Sequence, residues 1–298
     1  MQNNFFQFIL ETGKMARTAV MKVWNVELGL AVHIKAPNGK YVVIDLGASE
    51  EISPAKELYY NELCKNANAC VHYMVLTHPH KDHFDDILNV KYVKPKVLSR
   101  VKDYSREEIM EGAGNDVDKF NAYCDFVDEY NGVLSEQNDP SRAEALDGVV
   151  VSVFQAKKCD KSNINNFSKV VVIELDGAKI VVCGDPEIDA LDELMKNTTF
   201  RNKVRESWIL IAPHHGRKSS YLAEFVDLIN PFLTIVSDTK KGETSVVGSY
   251  SERSKGWTVH NLSTQESDVR KCLTTRCDGN IVVRFSGIDR VLNVYSHA

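Results

Sequence analysis

Ten consecutive residues, Thr77 to Asp86, read T-H-P-H-K-D-H-F-D-D and follow the apolar run Tyr73-Met74-Val75-Leu76. That run has the character of a buried strand, and Ile87-Leu88 beyond the motif begin a helical pattern, so imidazoles and carboxylates are delivered together at a strand's C-terminal end. Pro79 fixes φ and lacks an N–H, which keeps the segment extended and lets His78 and His80 lie on one side, where they can grip one cation. Asp82 and His83 come where the chain turns into the next helix and aim at a second point a few ångströms away. Four ligands at H-x-H-x-D-H spacing suggest two metals, a pair typically roughly 3.5 to 4 Å apart that activates a water and polarises the bond it attacks.

The 298 residues suffice for one large α/β domain or two small ones. No apolar stretch approaches the ~20 residues that span a bilayer. The apolar Phe5-Phe6-Gln7-Phe8-Ile9-Leu10 lacks a basic leader and is followed by Glu11, unlike a signal peptide. Seven scattered cysteines without a C-x-x-C pair fit reduced thiols in a cytoplasm, and Cys183 reads as a core residue. A net charge of -5 does not advertise nucleic-acid binding by the whole surface. The local run 91–102 carries five basic residues, as a solvated face or a polyanion-attracting patch.

Along the chain, residues 1–20 read as an N-terminal extension and 21–298 as one domain without repeats. Strands are expected over 23–26, 30–34 and 41–46, then 149–154, 169–175, 179–183, 208–212, 233–236, 280–285 and 291–295. Ser53-Pro54 open a helix reaching about Lys65, and a helix is expected from Asp82 to about Val90. Ser105-Arg106-Glu107-Glu108 is a capping box within a helical insertion over about 103–137. Residues 238–257 read as a polar loop and Glu266–Cys272 as a short helix. Asp45 ends a strand in I-D-L-G, as a turn-forming acid or as a group that orients a metal ligand from behind. Asp185 ends another in C-G-D-P, and Pro213-His214-His215-Gly216 end a third, where paired histidines point to metal or substrate contact.

Two halves of alternating strands and helices, with every candidate ligand after a strand, resemble the metallo-β-lactamase superfamily over roughly residues 22–290. The resemblance rests on I-D-L-G, T-H-P-H-K-D-H, C-G-D and P-H-H-G, and it implies an α/β fold, a four-layer αββα sandwich with a two-metal site along one edge. Within the superfamily, Asn165-Asn166-Phe167-Ser168 before Val170-Val171-Val172, with Thr274-Thr275-Arg276-Cys277-Asp278-Gly279-Asn280-Ile281 near the end, resemble the ComEC type. That type includes the hydrolase domain of the competence DNA-uptake channel and related phosphocholine esterases.

The resemblance implies that His78 and His80 hold one metal and Asp82 and His83 the other. Asp185 bridges both, a histidine of the His214/His215 pair completes the second site, Asp45 buttresses the first motif, and Asn166 and Ser168 shape the mouth. Most members place a further histidine between the first motif and G-D, yet no histidine occurs here from 84 through 213, so the first site lacks that nitrogen. Arg217 stands where the type often has serine. Tyr250, in Gly248-Ser249-Tyr250, stands in a loop that usually offers histidine and is assigned a hydrogen bond to substrate or leaving group.

Two dications suit a phosphoryl transition state, so the expected activity is phosphodiester hydrolysis, with DNA or RNA as substrate and Arg217 or Lys218 gripping a non-bridging oxygen. Hydrolysis of a thioester, lactone or β-lactam carbonyl is the alternative enzyme reading, and a nucleotide- or protein-binding domain without turnover is the third. The His-rich, carboxylate-bridged set suits Zn2+ first and Mn2+ second.

Overall fold

The computed structural model describes residues 17–239, 245–288 and 290–297. Residues 1–16 of the expected extension lie outside the described residues, but the domain already begins within its last residues, because β1 is Ala19–Val23. The first half continues with β2 Val32–Lys35, β3 Tyr41–Ile44, helix α1 Pro54–Asn61, β4 Val71–Val75 and β5 Val97–Ser99, then helices α2 Arg106–Met110 and α3 Val117–Asp128. The second half holds β6 Val149–Gln155, β7 Lys169–Leu175, β8 Ala178–Cys183, α4 Ile188–Met195, α5 Thr198–Val204, β9 Ile209–Ile211, α6 Ala223–Ile229 and β10 Leu233–Val236. It closes with α7 Val247–Arg253, β11 Trp257–Asn261, β12 Ser267–Arg270, β13 Cys272–Thr274, α8 Thr275–Asp278, β14 Ile281–Ser286 and β15 Val291–Ser296.

Two sheets form, in the orders β12-β11-β15-β14-β1-β2-β3-β4-β5 and β13-β10-β9-β8-β7-β6. Alternation along each strand decides the layers. Val32, Ile34, Val42, Ile44, Tyr73 and Val75 of the first sheet meet Val171, Ile173, Ile180, Val182, Ile209 and Ile211 of the second in one buried core. The opposite face of the first sheet, with Tyr41, Val43 and Met74, packs on Ala55 and Leu58 of α1 and on Phe120, Tyr123 and Phe126 of α3. The outer face of the second, with Val170, Val172, Val181 and Leu210, packs on α4, α5 and α6 through Leu191, Phe200 and Phe225. The fold is a four-layer αββα sandwich, held by side chains each contributing about 1.5 to 3 kcal/mol on burial.

β3, β4 and β5 run parallel, as do β8, β9, β10 and β13. Their C-terminal ends share one rim, the usual place for ligands in α/β sheets.

Three local expectations are corrected. The segment after Asp82 forms 3-10 turns, Lys81–His83 and Ile87–Tyr92, because the Asp82 and His83 carbonyls accept hydrogen bonds from the N–H groups of Leu30 and Leu46 instead of propagating a helix. Glu266–Cys272 is not helical: Ser267–Arg270 pair antiparallel with Trp257–His260. The loop expected over 238–257 contains α7.

The helices in the 103–137 segment form part of the outer layer. Phe84, fully buried at the end of the first motif, lies between Phe120 and Tyr123 of α3, with ring centroids 4.9 and 4.6 Å away. Truncation there leaves a cavity directly beneath the motif, so Phe84→Ala is expected to lower unfolding free energy by about 3 to 5 kcal/mol in urea titration.

Candidate metal centre

The site is built from strand ends. β3 ends at Ile44 and the chain turns through Asp45, which takes a left-handed φ of 58°. Few residues other than glycine accept that conformation, and here it aims a fully buried carboxylate at β4. Asp45 Oδ1 accepts from the Thr77 N–H at 2.7 Å and Oδ2 accepts from the Thr77 hydroxyl at 2.7 Å. Oδ2 also faces His83 Nδ1 at 2.6 Å. Burial pushes the Asp45 carboxyl up, and His83 and Thr77 draw it back in part. The glycine of I-D-L-G has its own reason: a Cβ on Gly47 would stand 2.7 Å from the Leu30 carbonyl oxygen and 2.9 Å from that of Asp82.

Asp185 is delivered by β8 through Gly184, where a Cβ would meet Ser168 Oγ at 2.2 Å and Thr77 Oγ1 at 2.6 Å. His214 and His215 are consecutive left-handed residues, φ 48° and 54°, a conformation costing about 1 to 3 kcal/mol each that turns both rings back onto the rim. His215 Nδ1 donates to the Ser237 carbonyl at 3.0 Å.

These restraints set the tautomers. With Nδ1 of His83 committed to Asp45 and Nδ1 of His215 to Ser237, both Nε2 atoms point into the cluster. His83 Nε2 lies 3.0 Å from Asp185 Oδ1 and 3.8 Å from Asp82 Oδ2. His215 Nε2 lies 3.1 Å from Asp82 Oδ2 and 3.5 Å from Asp185 Oδ2. One donor atom from each of Asp82, His83, Asp185 and His215 falls within 4.8 Å of the others.

Two carboxylates, Asp185 buried and Asp82 partly buried, facing two buried imidazoles favour positive charge among them. Burial opposes charging His83 and His215, but the carboxylates prevail, holding His83 well above the usual range and His215 at about 9. Asp185 is held well below the carboxylate range by His83 and His215 despite its burial. His83 Nε2 is buried with no well-formed hydrogen bond, an orphan that a divalent cation would satisfy.

A second position lies alongside. His78 Nδ1 is 3.2 Å from both Thr77 Oγ1 and Ser168 Oγ. His78 Nε2 faces His80 Nδ1 at 3.1 Å and Asp185 Oδ2 at 3.9 Å. Burial lowers the pKa of both rings, which keeps them neutral as metal ligands must be. His214 Nε2 stands 3.7 Å from Asp185 Oδ2 and accepts from Arg217 Nη1 at 3.1 Å, while its Nδ1 faces Ser220 Oγ at 3.2 Å and Glu187 Oε1 at 3.4 Å.

The cluster opens into a cavity of about 690 Å³ lined by His80, Asp82, Asp185, His214, His215 and Arg217, together with Asn165 and Glu187. Several expected site residues lie elsewhere. Tyr250 is fully buried in the core beneath the second sheet, edge-on to Tyr221, and its hydroxyl has no partner, so it cannot reach a substrate in the cavity. Ser168 is also fully buried: its Oγ accepts from the Asp185 N–H at 2.7 Å and faces His78, a positioning task rather than a mouth residue. Asn166 points inward, and its neighbour Asn165 lines the cavity and contacts His80. Lys218 is exposed and outside the cavity lining. Thr77, Ser237, Asn165 and Glu187 were not singled out by sequence; of these, only Thr77, inside the first motif, and Asn165, beside Asn166, stood next to a signal that pointed to them.

No family model and no curated protein matches the chain. Among solved structures it is similar to Zn(2+)-bound PqqB from Methylobacterium extorquens, at 9% identity over 83% of this chain and 85% of that one, with a TM-score of 0.42. It is also similar to the short form of human tRNase Z, at 13% identity over 76% and 95%, with a TM-score of 0.38. A third likeness is to CmlA, a diiron β-hydroxylase from Streptomyces venezuelae, at 13% identity over 76% of this chain and 46% of that one, with a TM-score of 0.38. At these identities the likeness is one of chain trace, and the roles of individual side chains rest on this chain's own geometry.

Because Asp45 fixes the His83 tautomer without touching the cavity, Asp45→Ala is expected to weaken zinc binding by about 10- to 100-fold, measured by competition with a chromophoric chelator. Unchanged affinity in a folded variant would contradict the orienting role.

Proposed function

We propose that this chain is a metal-dependent hydrolase of the metallo-β-lactamase type, acting on phosphodiesters of DNA or RNA. The observation that carries the reading is the pair of Nε2 atoms, on His83 and His215, locked by their Nδ1 partners so that both face Asp82 and Asp185. The ComEC-like motifs support the substrate class. The absence of a matching family model leaves that assignment to the site itself.

Asp82, His83, Asp185 and His215 would hold one divalent ion, zinc first and manganese second, and His78, His80 and the shared Asp185 a second. Bound there, such ions supply the Lewis acidity that activates water and polarises a phosphoryl oxygen. The chain's own side chains do the rest. Asp82 turns Oδ2 toward His215 and His83, which hold its carboxyl below the usual carboxylate range against burial and keep it ionised at the cavity. Arg217 spends one Nη1–H on His214 and offers its remaining donors to a non-bridging oxygen, a planar fork suited to phosphate. Asn165, tied to Glu187 at 3.4 Å, gives an amide at the mouth beside His80.

Cleavage of bis-p-nitrophenyl phosphate is expected to require added metal. Asp185→Asn and Asp82→Ala should each lower kcat/KM by more than about a hundredfold, a size expected when a developing charge loses its stabiliser. Full turnover after exhaustive chelation, or faster hydrolysis of nitrocefin or S-lactoylglutathione than of the diester, would overturn the assignment.

The two positions should also fill unequally. The second offers two imidazoles and a shared carboxylate, while the nearby His214 nitrogen is taken by Arg217. Calorimetric zinc titration is expected to show one tight ion and a second bound at least about a hundredfold more weakly, about 2.7 kcal/mol. Arg217→Ala should narrow that gap; two ions of equal affinity in the unmodified protein would contradict the reading.

A further inference from the structure

Beside the metal centre, on the same rim, lies a second concavity of about 360 Å³ in which Arg100, Lys102, Lys157 and Lys169 converge around Gln155. Topology places it there. Arg100 and Lys102 follow β5, which runs parallel to β4, the strand that delivers His78 to His83. Lys169 opens β7, which pairs antiparallel with β8, so its start lies beside the end of β8 that delivers Asp185. Gln155, the last residue of β6, is paired with Lys169.

The groove therefore spans the gap between the outermost strands of the two sheets. Lys169 is the telling residue: only 7% exposed, its ammonium donates to Gln155 Oε1 at 3.2 Å and, among the described residues, no carboxylate stands within ion-pairing distance. Burial, reinforced by Lys157, lowers its pKa to about 8. Arg100 donates through Nε to the Val127 carbonyl and stands 4.0 Å from Asp128, and Lys157 pairs with Asp103 at 3.0 Å. Asp103 also accepts from Gln155 at 2.7 Å. Four cations thus face two acids, Asp103 at 3.0 Å from Lys157 and Asp128 at 4.0 Å from Arg100, and positive charge is in excess.

The opposite side of the centre has the contrary sign. Glu27 and Glu50, which follow β1 and β3, line the main cavity away from β5. Lys81 lines that flank too but is paired with Asp116 at 2.9 Å and Asp85 at 3.8 Å, so a polyanion at the metal centre would meet its excess of positive charge on the basic side.

We propose that this groove is a phosphate subsite, holding a backbone phosphate of a single nucleic-acid strand whose neighbouring diester lies at the metal centre. The inference rests on the diesterase reading for the second half of that statement. It implies a substrate longer than one diester and a fixed direction in which the strand leaves the site.

The test uses the full chain treated with chelator and a fluorescein-labelled single-stranded 12-nucleotide DNA, read by fluorescence anisotropy. Lys102 is exposed and the Lys157 side chain is 56% exposed, so the double variant Lys102→Ala/Lys157→Ala keeps the fold. It is expected to bind about tenfold more weakly than the unmodified protein, with the slope of log Kd against log salt reduced by about 1. Equal affinity and equal slope overturn the subsite. Inorganic tripolyphosphate competing as well as the oligonucleotide, phosphate for phosphate, overturns the nucleic-acid assignment in favour of a free-phosphate site. Turnover of bis-p-nitrophenyl phosphate with added metal reports separately on the centre. Turnover without oligonucleotide binding removes the groove alone, whereas binding without turnover removes the hydrolase and leaves a strand-binding groove.

Discussion

The buried carboxylate of Asp45 is the interaction on which the rim depends. A carboxylate removed from water is tolerated only with several donors, and Asp45 has the Thr77 N–H, the Thr77 hydroxyl and His83 Nδ1. Those contacts join the ends of β3 and β4 and fix one ligand's orientation in a single step. The network continues across the sandwich. Lys169 N–H donates to the Thr77 carbonyl, Ser168 links His78 to Asp185, and the His214 N–H donates to the Gly184 carbonyl. Both sheets meet the cluster through hydrogen bonds rather than through apolar packing alone, so the donor atoms are set by backbone positions.

The same network explains why the cluster tolerates so much charge in so little space. Asp82 and Asp185 are acceptors only, and the imidazoles opposite them have spent their donors elsewhere. Such a set calls for positive charge among its members, from protons on His83 and His215 or from a bound cation, and this demand, rather than the count of histidines, is what marks the cluster as a candidate metal site.

Sequence revealed most where a side chain's task and its local pattern coincide. The H-x-H-x-D-H spacing, the D-P and the P-H-H-G each follow apolar runs that became strands, and the expected ligands converge. Side-chain direction was less visible. Asn165 and Asn166 are neighbours of one type, and only the 3-10 turn over Ile164–Phe167 decides which faces the cavity. Tyr250 follows a glycine and a serine that suggest a loop, yet α7 turns it inward onto Tyr221. β12 failed to announce itself because an exposed edge strand, Ser-Asp-Val-Arg, has no buried face to impose alternation. Glu187 and Ser237 touch the histidines by tertiary approach alone.

The first sheet terminates at β5, a strand of only three residues flanked by Lys96 and Arg100. A ladder that short, bordered by cations, offers a second chain few N–H and C=O groups to extend and repels an identical edge. Sheet-to-sheet polymerisation through this border is thereby discouraged, and the sandwich can keep an open seam beside its chemistry without becoming a template for fibres.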